Sequence, residues 1–134
     1  MDVAPALAEL DALPAEAWLP SQWKWHLGTR FLILRGGPSG VAPGSALTAG
    51  GGVDAPALAS LPALRALLDE AFPEPAALAW VGLSPAGSRI HFHVDNTAHW
   101  DAHHRVHLPL RTSPGARLCV DAAFLHLPAG TLWA

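Results

Sequence analysis

From residue 78 onward the chain is a succession of short apolar or alternating runs, LAWVGL, SRIHFHVD, HHRVHLPL, ARLCVD, AFLHLP and TLWA, punctuated by Pro and Gly. Runs of this length are too short for stable helices and suit strands, and the alternating ones have the period of a sheet with one covered face. A string of strands with no helical stretch between them builds an all-β sandwich or jelly roll. The expected class is therefore mainly β, preceded by helices. The whole chain reads as a single domain, with an N-terminal helical and strand region over residues 1–75 and the first part of a barrel over 76–134.

Upstream the punctuation differs. Pro5, Pro14 and Pro20 interrupt the Ala- and Leu-rich residues 3 to 19, so only a short helix ending before Pro14 fits. The apolar run from Arg30 to Arg35 is bounded by glycines and predicts a buried or half-buried strand. Residues 36 to 52, GGPSGVAPGSALTAGGG, read as a surface loop, either a functional lid or a tolerated insertion. Ser60 is placed to cap a helix with Pro62 in its permissive first turn, and Leu61, Leu64, Leu68 and Phe72 then fall on one face. Pro73 and Pro75 stop that helix.

Charge and cysteine content remove several function classes. A net charge of -3 without a Lys/Arg run gives no footprint for nucleic acid or an anionic membrane. No apolar run approaches the ~20 residues that span a bilayer, and Asp2 and Glu9 stand where a secretory leader carries basic residues. The reading is a cytoplasmic protein. Cys119 is the single cysteine, which excludes an intrachain disulfide and a cysteine-based zinc site and predicts a small core hydrophobe. Trp80 and Trp133, in apolar runs, are expected as core aromatics.

Chemistry concentrates in HFHVDNTAHWDAHHRVHLPL, residues 91 to 110, which holds most of the eight histidines. On a strand, residues two apart share a face, so His91, His93 and Asp95 would point one way and Phe92 and Val94 the other. An imidazole beside a carboxylate is the local half of the 2-His-1-carboxylate triad that holds Fe(II) in non-haem oxygenases. H-x-D alone is a common three-residue pattern. In the next run Val106, Leu108 and Leu110 form an apolar side, and His103, Arg105 and His107 share the other. That polar side is either solvated or turned inward, where a buried guanidinium needs an anion such as a carboxylate. Spacing leaves both open.

The stretch G-S-R-I-H-F-H-V-D, then H-R-V-H-L-P-L, then L-P-A-G-T-L-W resembles the aspartyl/asparaginyl beta-hydroxylase family of Fe(II)- and 2-oxoglutarate-dependent oxygenases. The resemblance covers residues 78 to 134. It implies a double-stranded β-helix, the cupin-like jelly roll, with Fe(II) inside and 2-oxoglutarate as co-substrate. It implies His93 and Asp95 as metal ligands, and Arg105 and His107 as binders of 2-oxoglutarate or a substrate carboxylate. The implied reaction hydroxylates an amino-acid residue or a free amino acid, so the expected partner is a small-molecule or peptide substrate. His91 does not fall on the ligand position, and His99, His103 and His104 are left to substrate contact or solvent.

One departure accompanies these matches. The family's third ligand, a histidine beyond the G-x-L-W segment, and the arginine after it have no counterpart before Ala134, and His126 precedes that segment. The chain thus reads as a family member with an incomplete C-terminal half of the barrel. Open strand edges follow from that reading, and with them a competing expectation: a non-catalytic jelly-roll remnant that binds a partner or self-associates. A cupin-type isomerase ranks third, because such sites draw on more histidines.

Overall fold

Proline decides where the first helix starts. In α1, Ala4–Asp11, Pro5 occupies the first turn, where a missing N–H costs no helical bond, and the Asp2 carboxylate accepts the Ala4 N–H at 3.0 Å. The helix stops before Pro14, as expected, and buries Ala6 and Leu10. The computed structural model describes residues 1–36, 52–74, 76–94, 101 and 103–134. The loop reading for 36 to 52 falls almost wholly outside them.

Strand β3, Arg30–Arg35, lies between β1, Leu19–Pro20, and β4, Ala79–Leu83, in a three-stranded antiparallel sheet. Its apolar run was expected to be buried, and Phe31 through Leu34 all are. Leu32 and Leu34 join Ala6, Leu10, Leu58, Leu61, Leu64 and Leu67 in one core, so α1, the 3-10 turn Pro56–Ser60 and helix α2, Pro62–Ala71, cover one face of the sheet. Phe31 and Ile33 fall on the other face by alternation. The pairing shifts register between Ile33 and Arg35, and beyond that bulge Arg35 is drawn into a charged cluster. Its guanidinium donates to Asp54 at 2.7 Å, and Arg65 reaches the other carboxylate oxygen at 2.7 Å. Those two guanidinium hydrogen bonds hold the Asp54 carboxyl below the usual carboxylate range.

Helix α2 forms as its spacing predicts, but its start differs. Leu61, not Ser60, is the N-cap residue, and the Ser60 hydroxyl instead donates to the Ala57 carbonyl at 2.9 Å, closing the preceding turn. Capping comes from α1. The two Glu9 carboxylate oxygens accept the Ala63 and Leu64 N–H groups at 2.8 and 2.9 Å, so an anion meets the positive end of the helix and satisfies donors that have no partner within it. Leu68 packs at the margin of the core; Phe72 terminates the helix in extended conformation rather than extending its apolar face.

After α2 the elements are small. β2, His26–Leu27, pairs antiparallel with β5, Arg89–Ile90. β6, Leu118–Val120, and β7, Ala123–Leu125, form a hairpin through Asp121 and Ala122, both at positive φ. Cys119 is half-buried in β6 rather than in the core. The run HHRVHLPL is not a strand: His107 makes a single antiparallel bridge to Trp133, with N–H···O contacts of 2.8 and 2.9 Å. Its apolar side is nonetheless used, for Leu108 and Leu110 pack against the core. The Met1 amino group donates to the Gly130 carbonyl at 2.8 Å. Gly130 sits at φ +79° with room for no side chain, since a Cβ would lie 2.6 Å from the Met1 carbonyl oxygen.

The described residues thus form small antiparallel sheets with two short helices, a mainly β architecture. Among them no helix is long and apolar enough to cross a membrane.

Candidate functional site

The face of the β1–β3–β4 sheet turned away from the helices carries the site. Trp80 on β4 lies opposite Ile33, and cross-strand partners share a face, so its indole stands on the side opposite Leu32 and Leu34. Trp80 is half-buried, as is Trp133; neither is the core aromatic that its apolar run suggested. The Trp23 ring meets Trp80 edge-on at 6.5 Å between centroids and meets His26 edge-on at 4.8 Å. A tight turn makes the second contact, because the His26 N–H donates to the Trp23 carbonyl at 3.0 Å.

Strand pairing then brings in the histidine stretch. His26 stands opposite Ile90, and the ladder continues by one bond from the His91 N–H to the Trp25 carbonyl at 2.9 Å. Two residues further, the His93 ring lies 5.4 Å from the His26 ring, tilted by 57°. The His93 Nδ1 is 2.7 Å from the His91 carbonyl oxygen. A carbonyl only accepts, so Nδ1 is the donor in this contact. The Arg105 guanidinium carbon stands 6.0 Å from the Trp80 ring centroid, at the outer reach of a cation–π contact. His93, His26, Trp23, Trp80 and Arg105 therefore form one continuous row of rings and charge.

Each expected site residue can be placed against this row, except Asp95, which lies outside the described residues, as does His99. His93 and Arg105 are brought to the two ends of the row. His107, half-buried, is held by its backbone bridge to Trp133, whose indole Nε1 is buried with no acceptor among the described residues. His103 and His104 are exposed. His126 is apart from the row, with Nδ1 3.1 Å from the Ala116 carbonyl.

The strand geometry expected for His91 to Val94 is not met. Strand β5 ends at Ile90 because its partner β2 is only two residues long, and the chain before β2 turns through Trp23 to Trp25. Residues 91 to 94 are all exposed, with Phe92 and Val94 at 76% and 82%, so no wet face is separated from a dry one. Trp23 and His26 are the residues that sequence reasoning missed as site members. Their segment is visibly Trp-rich, but only the β2–β5 pairing carries it to His93.

The donor set fits a transition metal in kind: an imidazole whose Nδ1–H is anchored to a carbonyl is the usual outer-sphere arrangement of a metal-binding histidine. Among the described residues no group of three or more His, Cys, Asp or Glu is gathered for a metal. No protein-family model matches the chain, and no curated protein and no solved structure matches it. The resemblance to the beta-hydroxylase family accordingly stands on the quoted motifs.

Proposed function

We propose that this chain belongs to the Fe(II)- and 2-oxoglutarate-dependent oxygenases of the aspartyl/asparaginyl beta-hydroxylase type, hydroxylating an amino-acid residue or a free amino acid, with a jelly-roll parent fold. The observation that supports this reading is the contact of the His93 Nδ1 with the His91 carbonyl at 2.7 Å, in which the ring donates to the backbone as the imidazoles of metal sites do. In this reading His93 and Asp95 hold Fe(II), which supplies the oxidising chemistry when bound. The chain's own work is orientation. Arg105, against the Trp80 face, takes a carboxylate of 2-oxoglutarate or substrate in two-point fashion, because its planar fork matches that anion, and His107 donates to the same group. The indoles of Trp23 and Trp80 restrict water on the side of the sheet where the anion would lie. Anaerobic addition of Fe(II) and 2-oxoglutarate to the protein tests the reading through the metal-to-ligand absorption band of the chelate. The band is expected with the wild type and lost in His93→Ala; no band in the wild type, or the same band in both, overturns it.

A second reading is favoured by a separate observation. Phe92 and Phe124 touch edge-on, 6.1 Å apart, while 76% and 64% exposed. Exposed aromatics in contact are the kind of patch that marks association, and a non-catalytic jelly-roll fragment that self-associates would use them. Light scattering during size-exclusion chromatography separates the readings: a dimer that Phe124→Ala converts to monomer supports association, and a monomer at all concentrations removes it.

A further inference from the structure

We draw no further inference here: the strongest candidate, the exposed apolar surface patch formed by Phe92 beyond β5 and Phe124 on the β6–β7 hairpin, already belongs to the association reading, and nothing in the structure shows what else covers it.

Discussion

Residues 6 to 67 and residues 76 to 134 stabilise themselves in different ways. Among the described residues every buried apolar side chain lies in the first region, from Ala6 to Leu67. The second region contributes partly buried side chains, Ala79, Val81, Leu108 and Leu110, to the margin of that same core, and leaves Val94, Phe92 and Phe124 more than half exposed at 82%, 76% and 64%. The first region is a packed object, two helices on one strand. The second is a set of ribbons tied to it by the pairings of β3 with β4 and of β2 with β5. The difference shows where a ligand would have room: the candidate row draws Trp23 and His26 from the first region and His93, Trp80 and Arg105 from the second, and its members are half-buried except for the exposed His93.

The sharpest way to break this comparison is to empty one site in each region. Leu58 is fully buried, with 0% exposure, and its replacement by Ala removes three carbons from a close-packed setting. Leu58→Ala is expected to cost about 2–5 kcal/mol of unfolding free energy. Phe124→Ala, measured at a concentration where the chain is monomeric, removes a larger side chain and is expected to change stability by less than about 0.5 kcal/mol, as exposed substitutions do. Urea unfolding of both variants beside the wild type gives the answer. Equal losses would mean that the ribbons carry a core of their own.

What could be read in advance follows the same division. β3 and α2 were legible because their signals are local: an apolar run between glycines, and leucines at helical spacing between Pro62 and Pro73. The cap of α2 was not, because the groups that satisfy its first turn come from Glu9, on another helix, and no local pattern announces a contact between such distant residues. In the ribbon region β4, β6 and β7 were legible as runs, yet HHRVHLPL alternates and still forms only one bridge, since its partner Trp133 meets it at a single residue. Periodicity reports which side chains share a face if a strand exists; it does not supply the partner strand. In the candidate row, His93 and Arg105 are the members that residue chemistry and motif single out in the sequence. Trp23 and His26 are not, because a two-residue strand has no period, and His26 reaches His93 only through the β2–β5 register.

The smallest expected effect belongs to the charged edge of the packed region, and it sharpens the comparison by using pH instead of volume. Arg35 is buried to 8% exposure, and Asp54 accepts from it and from Arg65. Hydrogen bonding to these guanidinium groups lowers the Asp54 pKa in the folded chain. A carboxyl with a depressed folded pKa binds protons more readily when unfolded, so its contribution to stability is fully present above the unfolded value of about 3.9 and is lost as pH falls through the folded one. Asp54→Asn should therefore melt below the wild type at neutral pH. The gap should narrow as pH falls below about 4, because the protonated wild-type side chain then resembles the amide. Melting temperatures of the two proteins across that range test this. A gap that stays constant into strong acid would show that Asp54 acts through the shape of its hydrogen bonds and not through its charge. A gap that closes would assign part of the acid sensitivity of the packed region to the cluster that compensates the buried Arg35 guanidinium, a constraint that the exposed aromatics of the ribbons do not share.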